Sequence, residues 1–208
     1  ASARLEYYEH PAAQPQVEWS SIKLDLYRRD FTINTLAIQL NQSSWGSLID
    51  FFGASRDIKE KFIRILHNLS FVADPTRIFR ALRSEQRFSF RLSKLTRSLI
   101  ENAIKMDFLK NLSGKRIDTE LQLILKEEKA LSIIRRMAEF GLLTYIHPAI
   151  QYTAGMKALL KNCKDVWSWF KLLFLDDTCE QWLVYFIGLI DQLTIAETES
   201  LCTSLHIH

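Results

Sequence analysis

Cysteine is scarce in this sequence, and its spacing excludes the zinc-bound and disulfide-framed classes of protein. Three cysteines occur among 208 residues, and they lie far apart at Cys163, Cys179 and Cys202. None of them forms a Cys-x-x-Cys pair or joins a histidine cluster. Isolated thiols usually behave as buried apolar groups, and they suit a reducing compartment. We therefore expect a cytoplasmic protein with unpaired cysteines.

Long apolar runs are also missing. The most apolar stretch, residues 182–190, is much shorter than the roughly 20 residues that a helix needs to cross a bilayer. Residues 1–11 are polar and strand-like, without the basic and apolar regions of a signal peptide. We expect no membrane partner, and we interpret residues 182–190 as a buried core helix.

Charge of one sign is not in large excess. The chain has 27 Lys and Arg residues against 24 Asp and Glu residues, which gives a net charge of +3. Such a balance permits a nucleic-acid partner without requiring one. A hydrophobic fraction of 48% is ordinary for a globular chain, which at this length can form one large core or two small domains.

The first third of the chain predicts a small α/β portion. Alternation and turn residues indicate a β-hairpin, and a serine at position 20 or 21 can cap the helix that precedes it. The predicted elements are a strand over residues 4–8, a helix over 23–30, strands over 35–40 and 47–52, and a helix over 53–61.

From about Phe71 onward the apolar residues follow a helical period. Helices are predicted over residues 94–106, 115–126 and 129–140, and Gly141 is a natural end for the last of these. The remainder is rich in Trp, Phe and Leu and predicts further helices. The chain is therefore expected to be mainly α-helical, with a small α/β portion at its start.

Two arginines and an aspartate occur together at Arg28, Arg29 and Asp30, where the first predicted helix ends. Guanidinium groups bind phosphate oxygens through paired N–H donors, and a neighbouring carboxylate can accept hydrogen bonds from ribose hydroxyls. The same residue types also form exposed ion pairs that contribute little. The pattern alone leaves a nucleotide site and a solvated ion pair as alternatives.

A second donor and acceptor lie three residues apart at Asp74 and Arg77. On a helix this spacing places both side chains on one face. The aspartate would accept from an exocyclic amine, and the arginine would donate to the ring acceptors of cytosine or adenine. The alternative is an aspartate at a helix start that pairs with an arginine one turn later and stabilises the helix dipole.

Arginines continue along the same predicted helix at Arg80, Arg83 and Arg87, while apolar residues occupy its other side. A solvated basic face is one interpretation. The functional interpretation is that Arg77 and Arg80 face a nucleotide, while Arg83 and Arg87 extend toward the phosphates of an RNA.

The heptapeptide RRDFTIN at residues 28–34 resembles the second signature motif of the class II tRNA nucleotidyltransferases and bacterial poly(A) polymerases. The segments around it, including residues 46–53, are similar to the same family, and the resemblance extends to about Ile150. It implies a nucleotide site in which Arg28, Arg29, Asp30 and Asn34 take part, with Arg29 and Asp30 holding the triphosphate and ribose.

Residues 73–77 resemble the family's amino-acid template motif, Glu-Asp-x-x-Arg, with Ala73 in place of the glutamate. The resemblance implies that Asp74 and Arg77 select ATP and CTP. The segment that begins at Gly114 resembles the family's last signature, which implies that Arg116 and Glu120 pair and brace the helix that carries the template residues.

The family's metal site, an Asp-x-Asp motif after a glycine-rich turn, has no counterpart in this sequence. Its two metal ions activate the attacking hydroxyl and hold the triphosphate. The first ten residues resemble a later strand of the catalytic head, in which Glu6 is either a third carboxylate toward the metals or an exposed strand residue. We therefore expect no metal site within the chain, and Mg²⁺ as the cofactor of a parent enzyme.

The resemblance implies a fold in three parts. Residues 1–66 would be the remnant of a polymerase-β-like nucleotidyltransferase head, residues 67–127 an all-helical, nucleotide-selecting neck, and residues 128–208 an all-helical, RNA-binding body. Both ends of the chain are expected to be truncated.

The implied function is the addition of CMP or AMP to the 3′ end of tRNA, or of another RNA, from CTP or ATP. This chain alone is expected to be inactive. A non-catalytic nucleotide- or RNA-binding module and a poly(A) polymerase of RNA tails are the alternatives. An ordinary helical interaction domain is a weaker alternative, because the order of the motifs, which is that of the family, argues against it.

Overall fold

Helices make up most of the protein. The computed structural model describes residues 3–7, 16–173 and 179–207. Its α-helices are α1 (Ile22–Tyr27), α2 (Ala54–Glu60), α3 (Ser70–Ala73), α4 (Arg77–Phe88), α5 (Lys94–Lys105), α6 (Gly114–Leu125), α7 (Ala130–Glu139), α8 (Ala154–Leu172), α9 (Gln181–Ile190) and α10 (Ile195–Leu205).

Within the described residues, six short strands form three separate pairs. The strands are β1 (Arg4–Tyr7), β2 (Gln16–Trp19), β3 (Leu36–Ile38), β4 (Leu48–Asp50), β5 (Phe62–Ile63) and β6 (Arg91–Leu92). The β1–β2 and β3–β4 pairs are antiparallel, whereas β5 and β6 are parallel. The parallel pair joins the end of the α/β portion to the segment after α4.

The chain divides into two compact units, residues 1–111 and residues 112–208. In the first unit the largest buried side chains include Phe31, Phe71 and Phe79. On α4, Ile78, Ala81 and Leu82 are buried together with Arg77, while the later arginines Arg80, Arg83 and Arg87 are half-buried or exposed. This is the amphipathic pattern that the sequence predicts.

The second unit is a helical bundle in which α6 contacts α7, α9 and α10, and α8 packs along α9. The helices α8 and α9 approach closely at a glycine. A Cβ on Gly188 would lie 3.1 Å from Cys163 Sγ. A Cβ on Gly114, at the start of α6, would lie 1.8 Å from the backbone oxygen of Ser204. Gly114 is therefore required by space rather than by backbone conformation, whereas a Cβ at Gly188 would need a small shift of Cys163.

The predicted fold class, mainly α with a small α/β portion, is confirmed, and so is the β3–β4 hairpin. The first helix ends at Tyr27, three residues earlier than expected, so Arg29 and Asp30 lie outside it. The strands β2, β5 and β6 were not predicted, because two to four residues are too few to show a period. Pro11 and Pro15 lie outside the described residues.

The predicted division at residues 66 and 127 stays a prediction. Within the described ranges, no helix combines the length and apolarity needed to cross a membrane.

Candidate nucleotide-binding site

A buried aspartate holds both arginines of the RRD segment. The side chain of Asp25, on α1, is 8% exposed and bonds to Arg28 Nη2 at 2.8 Å through Oδ1. Its other oxygen, Oδ2, accepts from Arg29 Nη2 at 2.9 Å. Arg28 is the C-cap of α1 and keeps a helical backbone conformation, so it lies one turn after Asp25 on the same face, and Arg29 reaches the same carboxylate from just beyond the helix. Asp25 was missed from the sequence, although this spacing rule points to it.

Asp30 connects the RRD segment to α4. Its Oδ1 lies 2.9 Å from Arg77 Nε, and its Oδ2 lies 3.1 Å from Arg80 Nη1. The N–H of Arg77 Nε is not aligned well enough on the carboxylate for a hydrogen bond, so we treat this close contact as an ion pair. The two motifs that the sequence singled out therefore meet at one carboxylate.

Arg77 is the most buried arginine of this group. Its side chain is 8% exposed, and its guanidinium also donates long hydrogen bonds of 3.4 Å to Ser70 Oγ and to the backbone oxygen of Arg28. A buried cation needs several partners, because desolvation of an unpaired charge is costly. Asp30, Ser70 and the backbone oxygen of Arg28 together hold the guanidinium group of Arg77 in place.

A second buried aspartate anchors the chain that follows Asp30. Thr32 donates through its hydroxyl to Asp57 Oδ2 at 2.6 Å, and Arg64 Nε donates to the same oxygen at 3.1 Å. The backbone N–H of Thr32 donates to the oxygen of Arg64 at 2.9 Å. These contacts hold the RRD segment against α2 and β5, where Asp57 is fully buried.

The premise that Asp74 and Arg77 share one helix face is wrong. Asp74 lies between α3 and α4 in an extended conformation, with φ −139° and ψ 94°, and α4 begins only at Arg77. Its Oδ1 accepts from the backbone N–H and the hydroxyl of Thr76, at 3.0 and 2.6 Å. The physical reason is that an aspartate before a proline favours a turn that bonds its own backbone over a helical start. Its role in base selection stays a prediction.

A cleft of 580 Å³ opens beside Arg77. Tyr27 and His67 form an aromatic part of its wall, with ring centroids 3.9 Å apart in an edge-to-face arrangement. His67 Nε2 also lies 2.7 Å from the backbone oxygen of Tyr27, which ties the RRD segment to the start of α3. Ser70 and Arg77 supply polar atoms to the same cleft.

We name the group formed by Asp25, Arg28, Arg29, Asp30, Arg77 and Arg80 the arginine–aspartate cluster. Four guanidinium groups face two carboxylates in it, so the cluster carries two net positive charges. The side-chain exposure of its arginines rises from 8% at Arg77 to 35% at Arg80 and 42% at Arg29. A partly exposed cationic group of this kind can bind the oxygens of a polyphosphate.

The other predicted nucleotide and RNA residues lie outside this cluster. Asn34 is exposed, and among the described residues its side chain makes no hydrogen bond to the cluster. Arg83 is half-buried, and Arg87 is exposed with its guanidinium 5.6 Å from the Phe88 ring centroid. They lie about 9 and 15 Å beyond Arg77 along the axis of α4, at 1.5 Å per residue. The side chain of Glu6 lies outside the described part of the chain.

Arg116 and Glu120 lie one turn apart on α6, as the sequence predicts. Glu120 is buried at 3% exposure, and Arg116 is half-buried. Their spacing permits a pair, and their bracing role stays a prediction.

Among the described residues, no group of three or more His, Cys, Asp or Glu side chains is placed to hold a metal ion. The described residues therefore do not supply the ligands of a two-metal site.

Two family models match the chain in order. Residues 1–64 match the poly A polymerase head domain, and residues 89–153 match the probable RNA and SrmB-binding site of polymerase A. The arginine–aspartate cluster draws its first four residues from the former segment, while Arg77 and Arg80 lie between the two.

Named relatives extend the comparison over the whole chain. The A-adding tRNA nucleotidyltransferase of Geobacter sulfurreducens is 53% identical over 207 residues, which are 100% of this chain and 24% of that protein. The CCA-adding enzyme of Bacillus velezensis is 32% identical, over 91% of this chain and 45% of that protein. The chain thus spans less than half the length of either relative.

Solved structures show the same fold. An apo form of a CCA-adding enzyme superposes with a TM-score of 0.90 and 41% identity, over 100% of this chain and 49% of that one. A tRNA nucleotidyltransferase complexed with a primer tRNA and an incoming ATP analogue superposes with a TM-score of 0.83 and 35% identity, over 93% of this chain and 56% of that one. The chain belongs to the family of tRNA nucleotidyltransferases and poly(A) polymerases.

Proposed function

We propose that this chain is the nucleotide-selecting and RNA-holding part of a template-independent nucleotidyltransferase that extends the 3′ end of tRNA. The observation that carries this proposal is the double contact of Asp30 with Arg77 and Arg80. It joins the segment that resembles the ribose-reading motif to the segment that resembles the base-selecting motif, in one partly exposed cationic cluster.

AMP is the nucleotide that the relatives favour. The chain is 53% identical to a protein named an A-adding tRNA nucleotidyltransferase and 32% identical to one named a CCA-adding enzyme. We propose ATP as the main substrate, with CTP as the alternative, and the 3′ end of a tRNA as the acceptor.

Each part of the cluster has a proposed role. Arg28 and Arg29 bind triphosphate oxygens, because guanidinium forks match phosphate geometry. Asp30 accepts from a ribose hydroxyl, and Asp74 with Arg77 reads the base edge. Because Asp30 is paired with Arg77 and Arg80, both guanidinium groups are held in place before a nucleotide arrives, and the remaining lone pairs of the carboxylate can accept from the ribose.

Mg²⁺ is the proposed metal of the reaction, in keeping with the two-metal chemistry of phosphoryl transfer. No Asp-x-Asp motif occurs in this sequence, so the metal ligands would come from another polypeptide segment. We propose that the chain acts in the cytoplasm, where its unpaired cysteines would stay reduced.

A non-catalytic module that binds nucleotide or RNA is the second candidate function. The missing Asp-x-Asp motif favours it. Poly(A) synthesis is a further alternative, because the matching head-domain model is that of poly A polymerase. Activity measured in a protein that contains both this chain and a complete head separates these candidates.

The test is a graft in which this chain replaces the corresponding segment of the Geobacter sulfurreducens relative. The graft is incubated with Mg²⁺, labelled nucleotides and a tRNA that ends in CC. Addition of a single AMP is expected. No incorporation by a folded graft would favour the non-catalytic module, and long tails would favour poly(A) synthesis.

Base selection is tested in the same graft by Asp74→Asn. Oδ1 of Asp74 accepts hydrogen bonds from Thr76. The side-chain oxygen of an asparagine can take over this role, and its NH₂ group then lies where Oδ2 lies in the wild-type chain. A donor there matches the exocyclic oxygen of guanine or uracil and repels the amine of adenine or cytosine. The ratio of GTP to ATP incorporation is expected to rise about tenfold, mainly because ATP incorporation falls, since Arg77 still presents a donor to the ring N–H of guanine.

The matched control is Glu101→Gln, which makes the same change from carboxylate to amide at an exposed position of α5. An Asp74→Asn graft that folds and keeps the control's nucleotide preference would show that this side chain does not read the base.

A further inference from the structure

His67 joins two parts of the first compact unit that are far apart in the chain. It lies between β5 and α3, directly after residue 66, where the head segment is predicted to end. Its side chain is half-buried and lines the cleft beside Arg77. The ring nitrogen Nε2 lies 2.7 Å from the backbone oxygen of Tyr27, which is 40 residues earlier in the chain. Tyr27 is the last residue of α1, so this contact holds the backbone just before the RRD segment.

The chemistry of this contact assigns the proton. A backbone oxygen can only accept a hydrogen bond, so Nε2 of His67 must be the donor. The oxygen of Tyr27 belongs to the last turn of α1, where carbonyl groups have no partner within the helix, and that turn contains no basic side chain. His67 therefore supplies a donor that the end of α1 does not provide itself.

The next carbonyl group along the chain is also bonded by a side chain from residues 67–77. The backbone oxygen of Arg28 accepts from Arg77 Nη2 at 3.4 Å, and Arg77 Nη1 donates to Ser70 Oγ at 3.4 Å. Both distances exceed the usual range for N–H···O hydrogen bonds, whereas 2.7 Å is at the short end of that range. The bond from His67 is therefore the strongest of the three.

Ring packing restricts the imidazole of His67 to the orientation that this bond needs. The imidazole meets the Tyr27 ring edge-to-face, with centroids 3.9 Å apart, and the Phe52 ring lies 5.7 Å from the Tyr27 ring. Aromatic pairs are favourable in such tilted and edge-to-face arrangements. His67 thus contacts Tyr27 twice, by a hydrogen bond to its backbone and by ring packing on its side chain.

We propose that His67 is a positioning residue of the nucleotide site. The proposal rests on the proposed function, in which Arg28 and Arg29 bind the triphosphate and Arg77 reads the base. By fixing the backbone of Tyr27 against the start of α3, His67 sets the distance between the phosphate-binding arginines and the base-reading arginine. His67 acts through these arginines and does not itself contact the nucleotide.

Two substitutions at His67 separate the effect of the donor from that of the ring. His67→Phe keeps an aromatic ring against Tyr27 and removes the donor, whereas His67→Gln removes the ring and can place an amide NH₂ group near the position of Nε2. The control is His147→Phe, the same change at a half-buried histidine of the second unit. Each variant is made in the graft described above, and hydrogen exchange of the α4 and α6 amide groups confirms that both units are folded under the assay conditions.

Loss of the donor in His67→Phe is expected to raise KM for ATP about three- to tenfold, the range that the net contribution of one hydrogen bond allows. The value of kcat is expected to stay within about twofold, because weaker triphosphate binding affects the ground state and the transition state alike. His67→Gln and His147→Phe are expected to keep KM within about twofold of the wild-type graft. A residue that only stabilises the fold would leave KM of the folded graft unchanged in all three variants.

Three results would overturn the positioning role. An unchanged KM in a folded His67→Phe graft would leave His67 a structural residue, and an equal rise of KM in both His67 variants would assign the effect to the ring. In the 208-residue chain, nitrogen NMR of the His67 ring would contradict the contact if it showed a neutral ring with its proton on Nδ1.

The wild-type graft separates these failures from failure of the proposed function. If it adds AMP, each of the three results counts against His67 alone, and the nucleotide-selecting function stands. If it adds no AMP, the proposed function is overturned and the positioning role falls with it.

Discussion

The ion pair between Asp30 and Arg77 is expected to stabilise the first compact unit far more than the contact between Asp30 and Arg80. Both arginines contact the same carboxylate, at 2.9 and 3.1 Å. Their side chains differ in exposure, 8% for Arg77 and 35% for Arg80. Because both arginines share one carboxylate, comparing them isolates the effect of the arginine's burial on the coupling energy.

Burial sets the expected magnitudes. Loss of one partner from a buried pair costs about 3–5 kcal/mol, because the other charge is left uncompensated. Asp30 is 19% exposed, which lets water compensate in part, so Asp30→Asn is expected to cost about 2–3 kcal/mol. The coupling energy with Arg77 is expected to be about 1.5–3 kcal/mol, and that with Arg80 below about 1 kcal/mol.

The measurement is a pair of double-mutant cycles. One cycle combines Asp30→Asn with Arg77→Gln, and the other combines it with Arg80→Gln. Hydrogen exchange of the α4 amide groups at increasing urea gives the free energy of opening of the first unit, whereas a signal averaged over both compact units would not isolate it. Equal coupling energies in the two cycles, or a coupling near zero for Arg77, would refute the reasoning from burial.

Three further outcomes follow from the structure. In the grafted enzyme, Asp30→Ala should reduce the preference for ATP over dATP about ten- to hundredfold, and an unchanged preference in steady-state kinetics would contradict its ribose role. Gly114→Ala should destabilise the second unit by at least about 2 kcal/mol, because its Cβ would meet Ser204; Gly155→Ala, with its nearest neighbour at 3.6 Å, should cost nothing, and hydrogen exchange of the α6 amide groups at increasing urea measures both. Burial acts to raise the pKa of Asp50, but N–H groups of Ser55 and Ala54 outweigh it and hold that pKa below its ordinary value. A lowered folded pKa stabilises the fold above the unfolded value of about 3.9; this stabilisation should disappear as the pH falls through the folded pKa, and Asp50→Asn should abolish that part of the pH dependence.

Residue types and their order were enough to predict the fold class and the two motifs. Amphipathic helices such as α4 and α5 are long enough for their apolar period to be visible. The pairing of β5 with β6 could not be predicted, because the partners are two residues long and far apart in the chain. Tertiary contacts alone define such strands.

Four arginines and Asp30 of the arginine–aspartate cluster were singled out from the sequence, but Asp25 and the contacts that join these residues were not. Local spacing could have shown that Asp25 bonds Arg28 and Arg29, since the two arginines follow it by three and four residues. The contact of Asp30 with Arg77 depends on how two distant segments fold together, which spacing does not reveal. At Asp74 the prediction from spacing was wrong, because the sequence predicted a helix across Pro75 where the chain forms a turn.

The fixed positions of Arg77 and Arg80 are expected to lower the entropic cost of ligand binding. Long side chains usually lose about 0.5–1.5 kcal/mol of rotamer freedom each when a partner immobilises them. Here Asp30 has already restricted both side chains before a nucleotide arrives, so little further ordering remains for them to undergo. Calorimetry should therefore show a less unfavourable binding entropy for triphosphate in the wild-type chain than in Asp30→Asn, in which both guanidinium groups would still have to be ordered.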